Sequence, residues 1–362
     1  APVPPGGGAG ALPGHAALGM RAPVTQGTGG GAGGPDAPDR LSFEADGPWP
    51  VDLSDIPTAV FDPHNQLDRK GTAGRIESPI PDELVDLLRQ EAMRLPPAAA
   101  LQRTGQFAPD QLGPLAGGAF DSLDYTDCCG GGGNVPPDPE LAVGPDHIIA
   151  VVNVAFEIYD KSGNVLAGPI TFSSFFAGTP GCSNTGVFDP NVLYDEEYDR
   201  FILGIDGNGT NYCVAATAAA DPLGSWYRYG FATATSPDFF DYPHAGVGLD
   251  AIYMGANIFR GSYVGSRVWA MDKLDLYNGL SLSVVSRSTG LESTPQPMNL
   301  HGYAQGSWPV AGPHYIVTDD AFNGSTYGVW SWEDPFGANL FVDEGTVDLT
   351  AFTGVPAGMP IG

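Results

Sequence analysis

The sequence predicts an all-β protein with a β-propeller fold, and two observations support this prediction. A unit of roughly 50 to 60 residues recurs four times in the second half of the chain, in the range expected for propeller blades. Each unit also contains a short strand rich in β-branched or aromatic residues and flanked by Gly, Pro, Asn or Asp. These strands cover residues 148–152, 201–205, 252–256 and 315–318. Stacking such units around an axis buries sheet faces that one unit cannot bury alone.

Two polar markers return at matched positions in the four units. An Asn or Asp ends the first strand of each unit, and an Asp ends the next strand. The first marker comprises Asn153, Asp206, Asn257 and Asp320, and the second comprises Asp160, Asp221, Asp272 and Asp334. A β-sandwich would also show many short strands, but it has no reason to repeat both markers. The sequence therefore favours a propeller with about four visible blades.

The N-terminal part of the chain has a different composition from the repeats. Residues 1–77 contain stretches such as GTGGGAGGPDAP and form a predicted Gly/Pro-rich extended arm. Residues 78–96 predict one short helix, because a Pro-rich start with two acids precedes an apolar stripe of leucines. Residues 97–136 form a linker with a Cys pair, and the blades occupy 137–362. The arm has few large apolar groups, so we expect it to lie against the propeller, a neighbouring copy or another protein.

The charge of the chain argues against two classes of partner. The 42 acidic and 15 basic residues give a formal net charge of −27, and the only lysines are Lys70, Lys161 and Lys273. Nucleic acid and anionic membrane surfaces require clustered basic residues, so neither is an expected partner. No apolar run is long enough to span a bilayer. The chain begins at Ala1 without a charged, apolar leader, as after signal cleavage, which predicts a secreted or cell-surface protein.

The four cysteines, Cys128, Cys129, Cys182 and Cys213, are candidates for disulfides. They lack the paired spacing of a zinc ribbon, and in an oxidising compartment two disulfides are expected. Three pairings are possible. A bond between the adjacent Cys128 and Cys129 would be strained. We therefore expect each of these two residues to pair with one of Cys182 and Cys213.

The sequence contains none of the common catalytic motifs, neither GxSxG, HExxH, a P-loop nor a dinucleotide fingerprint. The candidate binding residues are the first marker set, because equivalent positions on successive blades form a ring around the axis. The alternative is that each Asn or Asp closes an Asx turn. Asp206 and Asn208 begin a segment like a Ca²⁺ loop, but Thr217 stands where such a loop needs an acid. A Gly-opened hairpin turn is the alternative there, and no other cofactor is predicted.

Several runs of the repeat region resemble a known group of proteins. These runs are NVPPDPELAVGPDHIIAVVNVAFEIYDKSGNVLAGP, FDPNVLYDEEYDRFILG, ADPLGSWYRYGF and DYPHAGVGLDAIYMGANIF. They resemble secreted bacterial β-propeller proteins that are sialidase-like by fold, over about residues 134–340. The resemblance implies a ring of six or seven blades, so that a second polypeptide or a missing segment would complete it, unless the ring is smaller. Because that group has no agreed activity, the resemblance transfers no catalytic residue.

The predicted function is that of a secreted cell-surface binding or assembly protein, whose arm, through residues 1–60, docks on a partner or a neighbouring copy. The alternative is an extracellular hydrolase of glycans or similar polymers, since two suitably separated carboxylates at the channel mouth can cleave a glycosidic bond. A third hypothesis is a structural propeller stabilised by Ca²⁺.

Overall fold

The computed structural model describes residues 39–59, 120–123, 138–182, 186–319 and 326–348. Within these residues the chain forms four antiparallel sheets, each containing four strands that are consecutive in the chain. The innermost strands of successive sheets contact one another in chain order. The predicted β-propeller is thereby confirmed, and each of the four predicted strands lies within an observed strand. The predicted helix at 78–96 lies outside the described residues.

The first and second sheets are formed by residues 140–232. The strands of the first sheet are β3 (Glu140–Val143), β4 (His147–Val152), β5 (Ala155–Asp160) and β6 (Val165–Thr171). Helix α1 (Phe172–Phe175) follows, with the Thr171 side chain accepting a hydrogen bond from the Ser174 amide as its N-cap. The strands of the second sheet are β7 (Val187–Asp195), β8 (Arg200–Gly207), β9 (Asn211–Thr217) and β10 (Ser225–Ala232).

The third and fourth sheets are formed by residues 239–348. The strands of the third sheet are β11 (Phe239–Val247), β12 (Ala251–Phe259), β13 (Tyr263–Asp272) and β14 (Ser283–Ser288), with helix α2 (Lys273–Asn278) before β14. The strands of the fourth sheet are β15 (Ser293–Pro297), β16 (His314–Asp319), β17 (Thr326–Glu333) and β18 (Leu340–Asp348). The fourth sheet begins at Ser293. The matching sequence segment, GSWPVAGPHYIVTDD, begins later, at Gly306.

Part of the predicted arm belongs to the propeller itself. Strand β1 (Arg40–Glu44) pairs antiparallel with β14, and β2 (Asp46–Asp52) pairs with β10, so each adds a fifth, outermost strand to a sheet. A 3-10 helix at Leu53–Asp55 ends this segment. Residues 39–59 thus lie against the propeller of their own chain, which is one of the three surroundings expected for the arm. Docking of residues 1–38 on a partner stays a prediction, because they lie outside the described residues.

Apolar side chains fill the spaces between successive sheets. Between the first and second sheets, Ile149 and Phe156 share a buried cluster with Leu203. Between the second and third sheets, Val214 packs in a cluster with Met254. A further cluster places Trp332 of the fourth sheet against Tyr253 of the third. Both faces of the central strands are buried, which explains why β8 and β12 read as nearly continuous apolar runs.

The inner strands share a backbone feature near their beginnings. In each sheet a residue with positive φ precedes a proline there: Asp138 (φ 40°), Asp189 (φ 51°), Tyr242 (φ 60°) and Thr294 (φ 52°). In β7, β11 and β15 the pairing with the neighbouring strand shifts register at this point, as in a β-bulge. Side chains other than glycine rarely adopt this conformation. The positive-φ residue recurs about every 52 residues, which matches the period of the sequence repeat.

The structure corrects the expected disulfide pairing. Cys182 is bonded to Cys213, with Cα atoms 5.7 Å apart, so these two residues do not pair with Cys128 and Cys129. Cys128 and Cys129 lie outside the described residues. The observed bond joins the segment before β7 to strand β9 of the same sheet, and both cysteines are fully buried. The turn that holds Cys182, whose amide donates to the Thr179 carbonyl, places it beside β9, and cysteine spacing in the sequence does not reveal this.

Within the part of the chain that the structure describes, helices are too short or too polar to cross a bilayer. Secretion and cell-surface location stay predictions.

We expect Phe43→Ala to lower the free energy of unfolding by about 3–5 kcal/mol, because it removes a buried ring from a packed core. Phe43 on β1 is 5% exposed and lies 5.7 Å from the Phe231 ring. Trp49 on β2 is 43% exposed, so Trp49→Ala should cost clearly less. Urea unfolding followed by circular dichroism measures both. Equal costs for the two variants would show that β1 is not part of the core.

We expect the double variant Cys182→Ala/Cys213→Ala to lose about 2–4 kcal/mol of stability, since the bond closes a loop in the unfolded chain. Peptide mapping without reductant should recover the two cysteines in one linked peptide. A peptide that joins either of them to Cys128 or Cys129 would contradict the structure.

Candidate functional site

Three carboxyl groups from three different sheets meet near the beginnings of the inner strands. Asp138 and Asp189 occupy the positive-φ position of the first and second sheets, and Asp241 directly precedes that position in the third. All three are half-buried. We call these three residues the carboxylate cluster. Contacts between β3 and β7 and between β7 and β11 bring them together.

Hydrogen bonds fix the cluster. The Asp189 carboxyl lies close enough to those of Asp138 and Asp241 to affect the pKa of both. Asn153 connects the first two sheets, because its Nδ2 donates to Asp138 Oδ2 at 2.6 Å and its Oδ1 accepts from the Asp189 amide at 2.7 Å. The Tyr242 amide donates to Asp241 Oδ1 at 2.9 Å. The carboxyl groups of Asp138 and Asp241 are therefore each held by a hydrogen-bond donor, from Asn153 and from the Tyr242 amide.

The cluster retains a proton at a pH at which an ordinary aspartate has lost it. Burial, together with the charges of Asp241 and Asp138, raises the pKa of Asp189 to about 7. Burial also raises the pKa values of Asp138 and Asp241, while their hydrogen bonds to Asp189 act in the opposite direction. Like charges in contact cannot all ionise at once. Protonated Asp189 carries a single O–H, which it can donate to Asp138 or to Asp241 but not to both at once.

Asp206 on β8 lies close enough to influence this cluster. Its side chain is fully buried, and its Oδ1 accepts a hydrogen bond from the Gly209 amide at 2.5 Å. Its Oδ2 has no hydrogen-bond partner among the described residues. Burial raises the pKa of Asp206 well above its ordinary value, and the charges of Asp189 and Asp241 add to this effect. Burial therefore favours the protonated form of Asp206.

The structure shows what the predicted ring residues contact. Asn153, Asp206 and Asn257 are all at most 7% exposed. Asn257 Oδ1 accepts from the Thr294 amide at 2.7 Å, which repeats in the next pair of sheets the bond from Asn153 to Asp189. The two asparagines thus fasten neighbouring sheets at the bulges. Asp320 lies outside the described residues, and a ligand-binding role for the ring stays a prediction.

The predicted Ca²⁺ residues lie in a tight hairpin. Asn208 is exposed, has φ 64° and stands in the turn between β8 and β9, while Asp206 is hydrogen-bonded within that turn. This arrangement is the Gly-opened turn that was the alternative. No group of three His, Cys, Asp or Glu suited to a metal ion occurs among the residues described. Calcium at Asp206 and Asn208 stays a prediction.

The predicted set of sites missed the carboxylate cluster. Asp138, Asp189 and Asp241 stand at the Asp-Pro and Asp-Tyr-Pro segments that open the first three repeats. An acid one or two residues before a proline in the first three repeats is the signal in the sequence. It does not show that the three side chains touch, because that depends on how the sheets pack.

Comparison with known proteins gives distant structural likeness. One similar structure is an exo-β-1,3-galactanase from Clostridium thermocellum, with 11% identity, a TM-score of 0.34, and coverage of 61% of this chain and 50% of that chain. Another is a GH43 glycoside hydrolase with an engineered active site that displays both endo-xylanase and exo-arabinofuranosidase activity. It has 13% identity, a TM-score of 0.29, and coverage of 57% of this chain and 41% of that chain. No family model and no curated protein matches.

The chain matches half or less of the length of both solved proteins. At these TM-scores the likeness transfers neither activity nor substrate. Both similar structures are glycoside hydrolases, and neither is a sialidase.

We expect Asp189→Asn to become more stable relative to the wild type as the pH rises. The ordinary pKa of 3.8 is raised to about 7 in the folded protein, so the stability from the retained proton is complete below about pH 4. It is lost as the pH rises through about 7, whereas asparagine keeps a donor at every pH. Urea midpoints at pH 5 and pH 8 should show a change in relative stability on the order of a few kcal/mol.

The matched control for this measurement is Asp55→Asn, which changes an exposed aspartate. His244 and His314 are present in both Asp189→Asn and the wild type. Their contributions to the pH dependence of stability therefore cancel when the two proteins are compared. A constant difference between Asp189→Asn and the wild type at the two pH values would contradict the raised pKa.

Proposed function

We propose that the protein is a hydrolase that cleaves glycosidic bonds at the carboxylate cluster. The observation that carries this proposal is the contact of three half-buried carboxyl groups, one of which keeps its proton to about pH 7. Acid–base hydrolysis requires a proton donor and an ionised carboxylate in the same site at the working pH. The cluster supplies both.

The two outer carboxyl groups are the proposed acid–base pair. Asp189 is hydrogen-bonded to Asp138 and to Asp241, whereas Asp138 acts on Asp241 through its charge. Glycosidases need about 5–10 Å between the acid and the base or nucleophile. Carboxyl groups in direct contact are too close to meet this requirement. We therefore assign the acid and the base to Asp138 and Asp241, and Asp189 passes its proton to the one that acts as the acid.

Binding without catalysis, the function that the sequence favoured, explains the cluster less well. Carboxyl groups that repel one another cost stability, and a site that only binds a neutral ligand does not need this repulsion. A catalytic site gains a raised pKa from the same contact. Within the predicted arm, the described residues 39–59 are strands of the propeller and carry no sign of a docking role.

We expect Asp138→Asn and Asp241→Asn each to lower kcat/KM by about 10²- to 10⁴-fold, the usual contribution of general acid–base catalysis. The measurement is the release of reducing sugar from a panel of soluble polysaccharides. A glycoside with a dinitrophenyl leaving group distinguishes the two roles, because the variant that lacks the acid should keep most of its activity on it. The wild-type rate should fall as the pH rises above about 7, where the stored proton is lost.

Asp146→Asn is the matched control, because Asp146 is exposed at the far end of β3 from Asp138. It should leave the rate unchanged. Wild-type protein that releases no sugar from any member of the panel would overturn the proposal, and so would full activity in both asparagine variants.

A further inference from the structure

Three aromatic residues stand on the strands that carry Asp189 and Asp241, and the charges of all three acids of the cluster act on one of them, Tyr242. Tyr242 and Phe239 lie on β11, the strand that carries Asp241, and they are 50% and 39% exposed. Phe188 directly precedes Asp189 on β7, and its ring is stacked on that of Phe239 with centroids 6.0 Å apart and planes 9° apart. We call Phe188, Phe239 and Tyr242 the aromatic rim. Large exposed rings beside half-buried acids are unusual on a protein surface that serves only for solubility.

The Tyr242 backbone adopts a conformation that a tyrosine rarely takes. Its φ is 60°, and the equivalent positions of the other sheets hold Asp or Thr. A bulky residue in this region is strained, and such strain persists mainly at functional sites. The exposed ring does not compensate by packing in the core, because half of its surface faces solvent. The residue type at this position is therefore better explained by a ligand than by the fold.

The Tyr242 ring is nevertheless held in place. Its centroid lies 4.4 Å from that of His244, and the two planes are at 88°. Burial lowers the pKa of His244 to about 4, so this ring is neutral at pH 7. The Tyr242 amide is also hydrogen-bonded to Asp241. The ring is thus fixed one residue away from a carboxyl group of the cluster.

We infer that the aromatic rim is a sugar-stacking subsite for a neutral, pyranose-containing glycan, and this inference rests on the proposed hydrolase function. A pyranose ring has an apolar face of C–H groups that packs against an aromatic ring, as a Tyr or Trp side chain allows. The adjacent acids and a net charge of −27 repel anionic sugars such as uronic or sialic acids. Tyr242 is the residue that positions the sugar ring next to Asp241.

The test separates binding from turnover. Xylohexaose, cellohexaose, laminarihexaose and polygalacturonate oligomers are titrated calorimetrically into Asp138→Asn protein, with and without Tyr242→Asn. Asparagine tolerates positive φ, so this change removes the ring and keeps the backbone. We expect at least one neutral hexaose to bind, its affinity to fall at least 10-fold with Tyr242→Asn, and Tyr242→Phe to retain it. The anionic oligomers should not bind.

In otherwise wild-type protein, Tyr242→Asn should raise KM with a smaller effect on kcat. Tyr315→Ala is the control, because this tyrosine of the fourth sheet is 48% exposed and lies outside the aromatic rim. Unchanged KM and affinity in Tyr242→Asn, with glycan turnover intact, would overturn the subsite alone. Preference for the anionic oligomers would also overturn it. No binding and no turnover of any glycan would overturn both the subsite and the hydrolase.

Discussion

The burial of both faces of each central sheet between its neighbours is the constraint on which the rest of the structure depends. A single blade exposes two apolar faces, and it is stable only when other blades cover them. The separate core clusters lie in the spaces between successive sheets and give each pair a fixed relative position. Because these positions are fixed, the inner strands contact one another. The positions of the residues near the beginnings of these strands are then fixed as well.

Buried polar groups then define the geometry that apolar packing leaves open. Lys273 of α2 lies 2.7 Å from Asp195, the last residue of β7, and the Tyr277 hydroxyl donates to the same carboxylate. The Lys273 ammonium also lies 4.8 Å from the Tyr198 ring centroid and 5.7 Å from that of Trp308. This ion pair connects the second and third sheets. A buried pair favours one relative arrangement, since a shift would leave a charge without its partner.

The carboxylate cluster stands where these constraints converge. Asn153 joins the first two sheets at this point, because it is hydrogen-bonded to the Asp138 side chain and to the Asp189 amide. The repulsion of the acids opposes folding, and the large apolar interfaces offset it. Burial, together with this repulsion, raises the pKa of Asp189 to about 7, which is the property that the proposed hydrolysis requires. The stability of the scaffold and the chemistry of the site are therefore linked through one set of contacts.

The sequence by itself determined the repeat, the strands and the propeller, because every blade must solve the same burial problem with the same local pattern. It also placed polar residues at or near strand ends, as Asn153 after β4 and Asp206 in β8 show. Only the tertiary structure decided that β1 and β2 join the third and second sheets, that Cys182 pairs with Cys213, and that three acids meet. These features join residues that are distant in sequence. Their proximity depends on sheet packing and strand register, which a local pattern does not encode.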